Sequence, residues 1–318
     1  MYAMKVDDAQ AMHWTEVPDP VPKEGEVLLK IRAAALNRAD LLQRAGKYPP
    51  PPGWPEWMGL EVAGVVLSAP AGSRWKAGDE VCALLGGGGY AEKIAIPKGM
   101  VLPVPAGLSM AEAASLPEVF ATAYLNLFLE AHMREGETVF VQAGASGLGL
   151  AAIQLAKAFG AKVMTSVGSP EKAEAVRRIG ADWVLERRRD DPAAAFEAHP
   201  VDIALDCVGG EVLGNCIERL APGGRWILIS TLGGEFARIS LRPILKRGIR
   251  LIGSTLRSRP TEMKARILHE LEEKVWPKFV SKEIRPVIHA VLPVARAEEA
   301  HAILQRNGNI GKVVLEID

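Results

Sequence analysis

Val139-Phe-Val-Gln-Ala-Gly-Ala-Ser-Gly-Leu-Gly149 reads as a strand, a tight turn and the start of a helix. The apolar, β-branched run Thr138–Val141 ends in glycines, and Leu148, Ala152, Leu155 and Phe159 follow at helical spacing. Strand, glycine-rich turn and helix in this order are the context of a dinucleotide-binding motif. Gly144 permits the turn, and Gly149 lets the helix pack closely on the strand. The middle position, usually glycine, is Ser146. Its small side chain still admits a pyrophosphate and adds a hydroxyl donor. Gly147 and Leu148 open the helix, whose N-terminus offers free N–H groups and positive dipole to phosphate. An ordinary tight turn between strand and helix would share part of this pattern, so the downstream chain has to decide.

Alternation of strand and helix begins at about residue 119. Ala161–Val167, Trp183–Leu185, Val201–Asp206, Arg225–Ile229 and Arg250–Gly253 read as strands, with helices over Glu171–Ile179 and Val212–Leu220. With Thr138–Val141 these strands fit a doubly wound parallel sheet of Rossmann order, which binds its ligand at the carboxyl ends of the strands. Residues 1–118 differ. Glu26–Arg32, Glu61–Val66, Gly78–Leu84, Tyr90–Ile96 and Val101–Pro103 are short strands or turn-and-strand pieces between Gly/Pro turns, a β-rich, partly barrel-like pattern. Leu36–Ala45 is helical, Lys47–Pro55 a stiff proline loop, and Gly86–Gly89 a flexible run. Thr261–Phe279 reads as one long amphipathic helix. Ile310–Ile317 reads as a strand returning to the first domain. The division is thus 1–118 with 262–318, and 119–261.

The chain has 318 residues, with 38 Lys plus Arg against 38 Asp plus Glu. This zero net charge gives no electrostatic case for nucleic acid or an anionic membrane as partner. No apolar run reaches the ~18 residues of a membrane span, and Met1–Lys5 has no signal-peptide core, so the expectation is a soluble, cytoplasmic protein. Three scattered cysteines, Cys82, Cys207 and Cys216, exclude a disulfide scaffold and read as buried free thiols.

Several stretches together resemble a known family: Ala35-Leu-Asn-Arg-Ala-Asp-Leu41, Gly46-Lys-Tyr-Pro-Pro-Pro-Pro-Gly53, Gly59-Leu-Glu61, Gln142–Gly149, Leu256-Arg-Ser-Arg259 and Asn309-Ile-Gly-Lys312. They resemble the zinc-free quinone oxidoreductases of the medium-chain dehydrogenase/reductase superfamily, and most of all the p53-inducible NADPH:quinone oxidoreductase group. The resemblance implies a GroES-like catalytic domain beside the Rossmann domain, hydride transfer from NADPH to a quinone, and a homodimer paired through the apolar edge strand Leu251–Thr255.

In zinc-dependent relatives the metal ligands fall where this chain has Asn37 and Leu60 and near Glu118. Leucine has no donor atom and asparagine is a poor zinc ligand. The expectation is therefore no catalytic metal and no Lewis acid to activate an alcohol.

An NAD site carries a carboxylate at the end of its second strand. Here that strand ends in Thr165-Ser-Val-Gly-Ser169, which leaves room for a 2′-phosphate, with Lys172 one turn further on. The resemblance places a tyrosine of the adenosine-phosphate site at Arg187. Arginine can stack on adenine and contact phosphate, or Arg187–Arg189 can be a solvated run. Cys207, Val208, Ile229 and Thr231 follow two strand ends, where the nicotinamide half would rest. Leu256 and Arg257 follow the last strand. Thr122 lies at the domain junction, and Asn309 in a segment resembling a cofactor-closing loop. Each has packing as its alternative.

Tyr48 and Asn37 are the candidate catalytic residues on the acceptor side. Tyr48 offers a flat ring with a hydroxyl at its tip, and Glu61 reads as orienting a neighbour. The expected activity is NADPH-dependent reduction of quinones or other electron-poor acceptors. Reduction of an enone or enal C=C bond, and a slow-turnover NADPH-sensing binding protein, remain open alternatives.

Overall fold

The computed structural model describes all 318 residues. Its strands are β1 (Tyr2–Val6), β2 (Met12–Glu16), β3 (Glu26–Ala35), β4 (Glu61–Ser68), β5 (Glu80–Leu84), β6 (Lys93–Pro97), β7 (Val101–Pro103), β8 (Thr138–Val141), β9 (Lys162–Val167), β10 (Trp183–Glu186), β11 (Ile203–Asp206), β12 (Arg225–Leu228), β13 (Arg250–Gly253), β14 (Ile288–Pro293) and β15 (Lys312–Glu316). The chain forms two compact units. One is Met1–Ala121 with Arg257–Asp318, and the other is Thr122–Leu256.

The second unit holds a six-stranded sheet in the order β10-β9-β8-β11-β12-β13, all parallel. This is the doubly wound Rossmann order with its switch between β8 and β11. A central parallel strand is covered on both faces, and all four residues of β8 are buried. Phe140, Met164, Phe196, Leu213, Cys216 and Trp226 form the core on one side. The helix expected over Val212–Leu220 is shorter. It runs Gly210–Cys216 and tightens into a 3₁₀ turn at Ile217–Arg219.

In the first unit β14-β15-β3-β4-β5-β7 form one sheet, β6 also pairs β3, and β1 and β2 make a separate hairpin. This is the β-rich GroES-like domain. The C-terminal strand returns as expected. β15 lies antiparallel to β3, with Val314 opposite Ala35, and parallel to β14. β14 and the helix Ala297–Gln305 belong to the same unit.

Two expectations are corrected. Thr261–Phe279 is two helices, Thr261–Lys274 and Trp276–Val280, because Pro277 cannot donate the bond that would continue the first. Gly86–Gly89 is not a loose run, since all four glycines are buried. A Cβ on Gly86 would stand 2.7 Å from the Trp54 ring, and one on Gly59 would stand 2.5 Å from the Gly89 backbone. The glycines are there because the proline loop packs directly on their backbone.

Candidate active site

In the first unit the site is built around the helix Arg38–Arg44, which follows β3. Asn37 precedes it and Asp40 lies in its first turn. The Asp40 carboxylate accepts from the Asn37 N–H at 2.7 Å and from the Gly59 N–H at 3.1 Å, so it ties the helix to the chain entering β4. Tyr90 donates to the same carboxylate at 3.2 Å, and its hydroxyl lies 3.4 Å from Nε2 of His301. Burial pushes Asp40 up to about 6 and His301 down to about 4.

Asn37 sits in a buried ionic cluster. Lys312 Nζ lies 2.6 Å from Oε1 of Glu61 and donates to Oδ1 of Asn37 at 2.8 Å and to the Leu36 carbonyl at 2.6 Å. Asn37 Nδ2 donates to Oε1 of Glu61 at 3.0 Å, and the Glu118 N–H donates to Oε2 at 2.9 Å. Glu61 therefore orients its neighbours, and the Asn37 amide is engaged on both its atoms. The Asn37, Leu60 and Glu118 positions do not fit a zinc ion. Leu60 supplies no donor, and the ammonium of Lys312 already holds the Asn37 oxygen and the Glu61 carboxylate. No three His, Cys, Asp or Glu side chains elsewhere gather as a ligand set.

Tyr48 is half-buried, on the loop that packs over Gly86–Gly89. Arg257 is buried beneath it. Its Nη1 donates to the Tyr48 carbonyl at 2.9 Å, its Nε to the Gly86 carbonyl at 2.9 Å and its Nη2 to Oε1 of Gln43 at 2.6 Å. The guanidinium carbon lies 4.6 Å from the Tyr48 ring centroid. Burial raises the Tyr48 pKa, and the Arg257 charge opposes that rise. Asn309 Nδ2 donates to the Gly311 carbonyl at 2.7 Å, inside its own loop.

In the second unit the carboxyl ends of β8 to β12 bring together most of the expected cofactor residues. Ser146 caps the helix Gly147–Ala158, its Oγ accepting from the Gly149 N–H at 3.0 Å. This leaves the hydroxyl proton for another acceptor. A Cβ on Gly144 would lie 2.0 Å from Oγ1 of Thr165, and one on Gly149 would lie 2.5 Å from the Ala143 carbonyl. Leu148 is half-buried in the first turn. The Nε2 of Gln142, just past β8, is buried without a hydrogen-bond partner. An orphaned donor at this place suits a polar ligand.

At the end of β9, Nη2 of Arg187 lies 2.8 Å from where a Cβ of Gly168 would be. Ser169 caps the next helix and accepts from the Lys172 N–H at 3.4 Å. Its hydroxyl also bonds the exposed Glu171 carboxylate, which lowers that carboxyl's pKa. At the end of β11, the Asp206 carboxylate accepts from the Val208 N–H at 2.7 Å, the Gly209 N–H at 2.9 Å and Nε1 of Trp226 at 2.8 Å. This carboxylate, which sequence reasoning missed, shapes the loop Cys207–Gly209 from below. Cys207 is half-buried rather than buried, with its Sγ 3.9 Å from the Gln142 carbonyl. Ile229 and Thr231 follow β12, and the Thr231 carbonyl closes a turn with the Gly234 N–H. Leu256 is buried after β13. The Thr122 carbonyl accepts from Nδ2 of Asn126 at 2.7 Å.

Comparison with known proteins follows these two halves. Residues 23–106 match the alcohol dehydrogenase GroES-like domain, and residues 147–273 match the family described as zinc-binding dehydrogenase. The quinone oxidoreductase of Rattus norvegicus is 32% identical, over 95% of this chain and 92% of its own length. The human synaptic vesicle membrane protein VAT-1 homolog-like is 30% identical, over 94% of this chain and 76% of its own. Among solved structures, the quinone oxidoreductase of Thermus thermophilus, also solved in complex with NADPH, superposes with a TM-score of 0.85 at 34% identity and full coverage of both chains. The JamJ enoyl reductase superposes with a TM-score of 0.87 at 27% identity, over 100% of this chain and 99% of its own.

Proposed function

The chain belongs to the quinone oxidoreductase family of the medium-chain dehydrogenase/reductase superfamily, and from that premise we propose that it is a zinc-independent, NADPH-dependent reductase of quinones and similar electron-poor acceptors. It is an oxidoreductase with a nicotinamide-cofactor fold. The finer assignment to NADPH rests chiefly on one observation. Where an NAD site would carry a carboxylate, the end of β9 has Gly168, and the Arg187 guanidinium occupies the space its missing side chain leaves. Lys172 follows one helical turn on, and a 2′-phosphate is the ligand group that such cations suit.

The cofactor-side residues would divide the work as follows. Ser146 and the N–H groups of Gly147 and Leu148 would hold the pyrophosphate. Gly168, Ser169, Lys172 and Arg187 would hold the adenosine phosphate. Cys207, Val208, Ile229 and Thr231, with Gln142 Nε2, would line the nicotinamide, with Thr122 and Leu256 of the same unit as further cofactor contacts, and Asn309 is proposed as a cofactor residue in its own right. When bound, the reduced nicotinamide supplies the hydride. Tyr48 would present its ring to a flat acceptor and donate from Oη to the oxygen that gains negative charge. Asn37, held by Lys312 and Glu61, would shape the acceptor side from below.

The protein is proposed to be cytoplasmic and homodimeric. No helix is long and apolar enough to cross a membrane. The edge strand β13 exposes Leu251, and the same unit exposes Leu232, Phe236, Leu241 and Leu245, an apolar set that a second copy would cover.

The enoyl reductase likeness favours a second reading, reduction of an activated C=C bond. Steady-state turnover of an ortho-quinone and of an enone, each with NADPH and with NADH, tests both. A preference for quinone and NADPH is the expected result. Turnover of the enone alone would favour the second reading, and equal use of NADH would remove the assignment of cofactor.

A further inference from the structure

We infer that Arg257 is a positioning residue for the Tyr48 hydroxyl, gripping both the backbone and the ring of that one residue. The inference rests on the reading of Tyr48 as the acceptor-side donor. A tyrosine hydroxyl is aimed by two things, where the backbone sits and how the ring is turned. Arg257 acts on both. Its Nη1 holds the Tyr48 carbonyl at 2.9 Å, and its guanidinium carbon lies over the ring, 4.6 Å from the centroid. The other donors fix the clamp itself, Nε on the Gly86 carbonyl and Nη2 on Oε1 of Gln43. Gln43 in turn donates to the Glu56 carbonyl at 2.7 Å, at the far end of the same loop. Lys264 Nζ donates to the Arg257 carbonyl at 2.6 Å, which anchors the backbone behind the guanidinium.

The chemistry explains why arginine stands here. The guanidinium is planar, so it stacks on an aromatic face while its edge still donates hydrogen bonds. Lysine can do only one of these at a time. Arg257 is 5% exposed, and no carboxylate is among its hydrogen-bond partners. Carbonyl dipoles, an amide oxygen and the π face receive the charge instead. A cation set over the ring also draws on the phenol, so the hydroxyl donates more readily than burial alone would allow. Arg257 follows the last Rossmann strand and invites assignment to the cofactor wall, but its side chain is engaged with the Tyr48 loop in its own unit.

The test compares the wild type with Arg257→Lys, Arg257→Gln, Tyr48→Phe and the double variant Arg257→Gln/Tyr48→Phe, using an ortho-quinone and NADPH. Arg257→Gln should lower kcat about tenfold and leave the KM for NADPH within about twofold, with Arg257→Lys failing to restore turnover. In the Tyr48→Phe background, where the hydroxyl is already gone, Arg257→Gln should slow the enzyme by no more than about twofold. Incorporated 3-fluorotyrosine reads the ring directly. The protein has four tyrosines, and the ¹⁹F resonance missing from Tyr48→Phe is that of Tyr48. It should shift and broaden in both Arg257 variants. An unchanged ¹⁹F resonance, additive losses in the double variant, or a raised KM for NADPH with kcat intact would each overturn the inference while leaving Tyr48 in place. Full turnover in Tyr48→Phe would instead remove the reading of Tyr48 and the inference with it.

Discussion

Lys312 Nζ lies 2.6 Å from Oε1 of Glu61, and the two side chains are buried together. Strand register makes this contact. Val314 pairs with Ala35 across β15 and β3, which carries Lys312 to the level of Asn37. A fixed ammonium thus occupies the polar cluster beside the positions at which zinc-dependent relatives hold metal.

Removing one partner of a buried pair leaves an uncompensated charge, so Lys312→Met should cost about 3–5 kcal/mol in chemical denaturation. The double variant Lys312→Met/Glu61→Gln should recover part of that loss. Because the cluster has no metal ligand set, a chelator should leave quinone turnover unchanged. Activity lost to the chelator and restored by zinc would contradict this.

Arg187 and Lys172 are expected to discriminate the cofactors. A lost charge-assisted hydrogen bond costs ~1.5–3 kcal/mol, so Lys172→Ala or Arg187→Ala should weaken NADPH binding roughly tenfold or more. NADH binding, measured by fluorescence titration, should hardly change. Equal losses for both cofactors would make these side chains structural.

His301 gives the protein an acid-sensitive core. Its ordinary value is 6.5, and burial lowers it to about 4 in the folded chain, with Arg44 adding to the fall and Glu298 opposing it. A lowered histidine contributes stability that is present above pH 6.5 and lost as pH falls toward 4. At about pH 5 the loss is about 2 kcal/mol. Asp40, across the Tyr90 hydroxyl, works in the other direction. Its raised pKa of about 6 makes its contribution greatest in acid and lost as pH rises through that value. Comparing wild type with His301→Gln isolates the histidine, because Asp40 is common to both. Denaturation at about pH 7.5 and pH 5 should show the wild type losing about 2 kcal/mol more than the variant. Parallel losses would place the acid sensitivity elsewhere.

The apolar surface of the Rossmann unit should bind a second copy. Phe236 is 90% exposed and Leu245 is 83% exposed, in the same unit as the edge strand β13. Light scattering at micromolar concentration should give a dimer for the wild type and a monomer for Phe236→Asp/Leu245→Asp, with the Tm changed little. A monomeric wild type would sink the proposal.

The parts that were legible in the chain are those whose causes lie within a few residues. The run from Val139 to Gly149 announces a strand, a turn too tight for side chains and a capped helix, because each needs only its neighbours. The return of Lys312–Glu316 as a strand, and the lack of a carboxylate after Val167, could be read in the same way. The division of Thr261–Phe279 into two helices also has a local cause, Pro277, which cannot donate the bond that would continue the first.

Tertiary structure decided which side chains meet. Arg257 stands 209 residues from Tyr48 in the chain, and Lys312 stands 275 from Asn37. Periodicity carries no information about such pairs, because strand register and loop packing bring them together. Burial decided the rest. A histidine in solution titrates near neutrality whatever its sequence neighbours, and His301 does not, chiefly because the fold removes water from around it and secondly because it sets Arg44 nearby. The same holds for Gly86–Gly89. Four glycines in a row permit flexibility, and the Trp54 ring, Pro50, Pro55 and the Gly59 backbone packed against them make that stretch a buried floor beneath the loop carrying Tyr48.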